Sequence, residues 1–191
     1  MKINKKQLMP AIVLGVICIV VAGLLAVLNL VTRDRIDQNK WEKEQKAIAK
    51  VYEDGAPFTE VTDLSSKLGE AKKNGATSTE IQKVWYTEEG GYVFRVATVG
   101  YDDGLEIMIG ITPEGKIAGI THVASSETNS AEGKLNNYYK DKGANDSALI
   151  VGGSTKTSDG YKNAVAQAFA AKAALDPLEL WKDAEGGSDN G

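Results

Sequence analysis

The chain has one cysteine, Cys18, in 191 residues. No intrachain disulfide can form, and a cysteine-ligated metal cluster cannot be built from this chain alone. It has one histidine, His122. That residue falls in an apparent strand and reads as a surface or satisfied core side chain rather than a catalytic one. There is no glycine fingerprint for a nucleotide, no iron–sulfur ligand spacing and no internal repeat. Positive charge is not in excess either: 22 Lys and Arg stand against 26 Asp and Glu. Such an acidic balance argues against nucleic-acid binding. No catalytic residue and no metal ligand set stands out.

The N-terminal region lacks charge altogether between Leu8 and Val31, a run of 24 residues. At about 1.5 Å per residue a helix there is about 36 Å long, enough for a hydrocarbon core of about 30 Å. Pro10 lies near its start, where a missing N–H costs little. The run is longer than the roughly 7–15 apolar residues of a cleavable signal. Ile17 is too bulky for Val16-Ile17-Cys18 to serve as a lipoprotein processing site, so Cys18 reads as a lipid-facing or packed small residue. Lys2, Lys5 and Lys6 precede the run, whereas Arg33 and Arg35 beyond it are balanced by Asp34 and Asp37. The asymmetry predicts a cytoplasmic N-terminus at 1–7, a single transmembrane helix at 8–31 and an extracytoplasmic remainder, anchored in the cell (inner) membrane. Residues 32–191 hold 19 basic and 26 acidic side chains, a net charge of −7.

About 160 residues suffice for one domain with a sizeable core. Ile36, Trp41, Glu44, Ile48, Val51 and Tyr52 recur at helical spacing, which predicts a juxtamembrane helix within 32–55. Residues 53–80 are polar and rich in turn formers, an irregular stretch with room for a short helix. Ile81–Tyr86, Tyr92–Val99, Leu105–Ile111 and Lys116–Val123 are β-branched, aromatic or alternating, and read as strands. Glu89-Gly90-Gly91 and Thr112-Pro113-Glu114-Gly115 are turns between them. A helix over about 159–175 follows, and Trp181 marks the end of the structured chain. The expected fold is α+β: a twisted, mainly antiparallel sheet with helices packed to one side, over 56–182, and a flexible tail at 183–191.

Residues 151–158 read Val-Gly-Gly-Ser-Thr-Lys-Thr-Ser. Gly152 and Gly153 permit close approach of a ligand to the backbone. A helix start just beyond offers unpaired N–H groups and the positive end of a dipole, which suits a phosphate. Thr155 and Thr157 place hydroxyls beside that position. Taken alone, the octapeptide also fits an ordinary capped helix. Lys156 reads equally as a solvated lysine or as a charge beside a phosphate. Asp102-Asp103 fits turn chemistry or a cation site.

In its setting the octapeptide resembles the attachment segment of a known family. Its members are RnfG, the FMN-binding component of the Rnf ion-translocating oxidoreductase, and NqrC, its relative in the sodium-pumping NADH:quinone oxidoreductase. That family carries Ser/Thr-Gly-Ala-Thr near its C-terminus, with FMN joined through its phosphate to the last Thr. Gly152-Gly153-Ser154-Thr155 falls in that place, with Gly152 where Ser or Thr is usual and Ser154 where Ala is usual. Val31-Thr32-Arg33-Asp34-Arg35-Ile36 resembles the family's Thr-Lys-Asp-x-Ile exit from the membrane. Gly100–Gly104 resembles its Gly-Tyr-x-Gly segment before a strand, and Ile117-x-Gly119-Ile120 its next strand. Glu127 and Thr128 match the start of its Glu-Thr-Pro-Gly-Leu-Gly flavin loop, after which Asn129–Gly133 departs.

The resemblance implies FMN held covalently by a phosphoester to Thr155, with Gly152, Gly153, Ser154, Lys156 and Thr157 around the phosphate and Glu127 and Thr128 beside the ring. Thr157 is the competing acceptor. Tyr101, Tyr138, Tyr139 and Tyr161 are candidates to pack on the isoalloxazine, against plain core packing. The implied partners are the membrane, a flavin transferase, and the other subunits of an Rnf-type complex linking ferredoxin and NAD to Na⁺ or H⁺ translocation. A redox subunit of this kind has no complete active site of its own. The rival readings are a freestanding extracytoplasmic flavoprotein and a non-redox assembly or sensor protein without flavin.

Overall fold

A computed structural model describes residues 5–52, 57–101, 103–124 and 131–185. The chain divides into two compact units, Met1–Lys43 and Glu44–Gly191.

The described residues of the first unit belong to one continuous helix, α1 (Lys5–Val51), whose last turns lie in the second unit. From Val13 to Leu28 its large apolar side chains are exposed to between 49% and 74%. A helix apolar on every side has no polar face to offer water. Among the described residues no helix is long and apolar enough to cross a membrane. Cys18 is exposed, and so is Trp41, which the helical periodicity had placed on a buried stripe.

In the second unit the elements after α1 are β1 (Thr59–Glu60), α2 (Leu64–Leu68), β2 (Lys73–Asn74), β3 (Thr79–Tyr86), β4 (Tyr92–Val99), β5 (Asp103–Ile111), β6 (Ile117–Ala124), α3 (Glu132–Tyr139), α4 (Thr155–Leu175) and α5 (Leu180–Glu185). All strand pairs are antiparallel, in the order β1-β3-β4-β5-β6, with β2 also on β3. The strands form a meander because short Gly-containing turns join β3 through β6. The expected strands appear, each within about two residues of its predicted limits. Residues 57–80, expected to be irregular, add the two short edge strands, and α3 is an element the periodicity did not predict.

The sheet buries both faces, which corrects the expectation of helices on one side only. On one face Ile81, Val84, Phe94, Val96, Ile107 and Ile109 meet Leu135 of α3 and Tyr161, Ala164, Ala168 and Ala171 of α4. On the other, Trp85, Val93 and Met108 meet Ala47, Ile48, Val51 and Tyr52 at the end of α1. This accounts for β4 reading as a nearly unbroken apolar run, as a strand covered on both sides must. Glu44 shares the second face. Its carboxylate, 8% exposed, accepts from Arg95 and from Lys83 Nζ at 2.8 Å, and Arg95 also binds Glu106 at 2.5 Å.

Helix α1 ends against a pair of glycines. Gly110 and Gly119 are opposite each other on β5 and β6. A Cβ at Gly119 would lie 2.7 Å from the Val51 carbonyl oxygen, and one at Gly110 would lie 2.5 Å from it. The backbone of the helix end therefore sits on bare sheet backbone. We predict that Gly119→Ala costs about 1–3 kcal/mol by overpacking this contact, read as a lower denaturant midpoint of the full chain in detergent. An unchanged midpoint would show that the seat at Gly119 yields freely.

Candidate functional site

The segment before α4 is a β-turn. Ser154 N–H donates to the Val151 carbonyl at 3.0 Å. Gly153 occupies the third position with φ +80°, the value a type II turn needs and L side chains rarely adopt. Ser158, fully buried one turn into α4, clamps this loop from below. Its Oγ accepts from Val151 N–H at 3.0 Å and donates to the Ser154 carbonyl at 2.9 Å.

Above the turn there is open space: a Cβ at Gly152 or Gly153 would meet nothing within 4 Å. Thr155 is the first residue of α4, whereas the helix was expected to start near 159. Tertiary packing overrides the weak helix propensity of Thr155–Gly160, because Thr157, Ser158, Gly160 and Tyr161 are all buried against the domain. The two candidate hydroxyls are thereby separated. Thr155 is exposed, while Thr157 is 5% exposed. Ser154, at the N-cap, makes no side-chain capping bond, so the first-turn amides keep their capacity for an anion. Lys156 is exposed beside them, with its Nζ 5.7 Å from the centre of the Tyr101 ring.

The start of α4 is fixed against the β4–β5 turn by Gly160. A Cβ there would lie 2.9 Å from both the Val99 carbonyl oxygen and Leu105 Cδ2. The sequence pattern gave Gly160 no role, and Ser158 entered it only as the end of the 151–158 segment. The available signal was a glycine inside a helical pattern, which marks close approach of another backbone.

The remaining candidates sort by burial. Tyr161 is fully buried and its hydroxyl donates to Asn136 Oδ1 at 2.9 Å. Tyr139 stacks on it at 6.1 Å, and burial pushes the Tyr139 phenol up to about 12, so it stays protonated at neutral pH. Tyr138 donates to the Ser147 carbonyl at 2.7 Å. His122 packs 5.3 Å from the Tyr161 ring, with Nδ1 3.7 Å from Glu132 Oε2, as a packed histidine would. Glu127 and Thr128 lie outside the described residues, as does Asp102. On either side of that loop, His122 and Glu132 touch each other, and His122 touches Tyr161 within the second turn of α4. Among the described residues no three His, Cys, Asp or Glu side chains gather to hold a metal ion.

A family described as the RnfG N-terminal region matches residues 1–51, and one described as the FMN-binding domain matches 100–170. The second match runs from the β4–β5 turn through the glycine turn and Thr155. The chain is 30% identical over 155 residues to the G component of the Na(+)-translocating ferredoxin:NAD(+) oxidoreductase complex of Acetobacterium woodii, covering 76% of this chain and 74% of that protein. It is 22% identical over 128 residues to the G component of the ion-translocating oxidoreductase complex of Shewanella piezotolerans, covering 65% of this chain and 60% of that one.

The clamp beneath the turn is testable. Ser158→Ala leaves the Val151 N–H without its acceptor, a cost of about 1–3 kcal/mol. The expected outcome is a lower thermal midpoint of the full-length protein, by about 2–4 °C per kcal/mol for a chain of this size. A midpoint equal to that of the parent would remove Ser158 as the clamp.

Proposed function

Because this chain belongs to the RnfG family of Rnf-type ion-translocating oxidoreductases, we propose that it is the membrane-anchored electron-transfer subunit of such a complex, with FMN joined through a phosphoester to Thr155. The observation that carries the reading is the position of Thr155. It is an exposed hydroxyl at the open N-terminus of a 21-residue helix, above an uncrowded glycine turn. A transferase can reach that oxygen, whereas Thr157 is buried.

The residues present fit a phosphate. Gly152 and Gly153 leave room for its oxygens near the backbone. The amides of the first turn and the helix dipole favour its negative charge. Lys156 adds an ammonium beside it. Ser158 holds the turn that presents Thr155. When bound, FMN supplies the electron chemistry; the chain's own part is to tether it, orient it and set its surroundings. Glu127 and Thr128 are proposed to border the ring, and Gly152, Gly153, Ser154, Lys156 and Thr157 to frame the phosphate. A flavin transferase and the other membrane subunits are the proposed partners, and the complex as a whole would link ferredoxin and NAD chemistry to Na⁺ or H⁺ translocation. A tether suits an extracytoplasmic site, where a released flavin is lost by dilution.

The proposed anchor is the uncharged run Leu8–Val31, spanning the cell membrane once with the N-terminus inside. Three lysines before the run and a charge-balanced exit support that direction.

Two experiments check these readings. Thr155→Ala should abolish flavin fluorescence of the denatured chain on a gel, and mass spectrometry should show the unmodified peptide, while Thr157→Val keeps the flavin. Flavin retained in Thr155→Ala sinks the attachment site, and loss only in Thr157→Val moves it two residues on. For topology, Ser188→Cys in a Cys18→Ser background should react with an impermeant thiol reagent in intact cells lacking an outer membrane. Labelling only after lysis would reverse the orientation.

A further inference from the structure

We propose that the isoalloxazine ring rests on Tyr101, so that the β4–β5 turn forms the platform for a flavin tethered on α4; this builds on the attachment to Thr155 proposed above. The chain has seven tyrosines. Tyr52, Tyr92, Tyr139 and Tyr161 are buried, and Tyr86 and Tyr138 half-buried, all committed to the core or its edge. Tyr101 alone among them is exposed, at 72%. Burial in the core cannot be the reason for an aromatic ring at this place.

Its location is what makes it informative. Lys156 directly follows the proposed acceptor, and its ammonium lies 5.7 Å from the Tyr101 ring centre. The bare Cα of Gly160 lets Val99 and Gly100 pack on α4. The turn that carries Tyr101 is therefore held against the first two turns of the same helix that begins at Thr155. A cofactor tied at Thr155 through a short ribityl chain has this ring within its reach. The chemistry matches as well. A phenol is an electron-rich plane and an oxidised isoalloxazine an electron-poor one, and such rings favour offset stacking. Lys156, next in sequence to the proposed acceptor, carries a positive charge that attracts the tyrosine face and would attract a phosphate on Thr155. On excitation a stacked tyrosine would lend an electron to the flavin and take it back, with no net change, so the contact would be visible as quenched emission.

The test uses the full-length flavin-bearing chain and its Tyr101→Ala and Tyr101→Phe variants. Flavin fluorescence on a denaturing gel should be equal in all three, since each keeps the Thr155 hydroxyl and the turn that presents it. In the native state Tyr101→Ala should emit several-fold more strongly than the parent and become more accessible to iodide. Tyr101→Phe should also emit more strongly, having lost the electron-rich donor, yet keep the parent's absorption band and iodide protection, because the stacked plane remains. Native emission and iodide access unchanged in Tyr101→Ala would overturn the proposal. Unchanged emission with loss of co-purifying subunits would overturn it in favour of a protein contact at Tyr101. A parent chain without flavin on the gel would overturn the attachment itself, and the platform with it, before any variant is compared.

Discussion

The close packing of α4 on the sheet is the constraint from which the site follows. Gly160, Ala164, Ala168 and Ala171 are buried at successive turns of that helix. With so little side chain in the way, the helix axis comes down near the strands, and at Gly160 its backbone comes against the β4–β5 turn itself. Small residues thus contribute little apolar area but fix a distance, as interiors packed to crystal-like density require. The consequence is positional: where α4 begins, and therefore where Thr155 stands, is set by what Ser158 and Gly160 touch.

The opposite face carries a different kind of specification. The end of α1 covers Trp85, Val93 and Met108, and in the same layer Glu44 accepts from Arg95 and Lys83, with Arg95 shared by Glu106. A nearly buried carboxylate is costly unless its partners are in place, so the cluster punishes any other seating of the helix more than it adds stability. The glycine pair under Val51 acts in the same direction by steric means. Together they fix the rotation and the depth of the helix end on the sheet.

The portion beyond the apolar run is net negative by 7, and that background repels polyanions. At the start of α4 stand the first-turn amides, a Ser154 without a side-chain capping bond and an exposed Lys156. A phosphate attached at Thr155, as proposed, would gain these interactions.

Much of this was legible in the sequence. Alternating and β-branched runs gave strands β3 to β6, because a two-residue period needs no tertiary information. The uncharged run Leu8–Val31 and the Gly152–Ser158 turn could be read from composition and local chemistry, while the choice of Thr155 over Thr157 as the proposed acceptor came from the family resemblance. Other features depended on residues far apart in the chain. Which elements cover the two sheet faces could not be read from β4, whose apolar run says only that both are covered. Helix α4 begins four residues early because Ser158 and Gly160 are held by Val151, Val99 and Leu105, and no local propensity of Thr-Lys-Thr-Ser-Asp-Gly favours it. Thr155 and Thr157 are chemically alike and two residues apart, and of the four tyrosines weighed, Tyr139 and Tyr161 are buried, Tyr138 is half-buried at the edge of the core and Tyr101 is exposed. A sequence specifies which groups exist and how they are spaced; burial is a property of the surface each group meets, and here only the folded sheet and the helix lying on it decide which hydroxyl and which ring face outward.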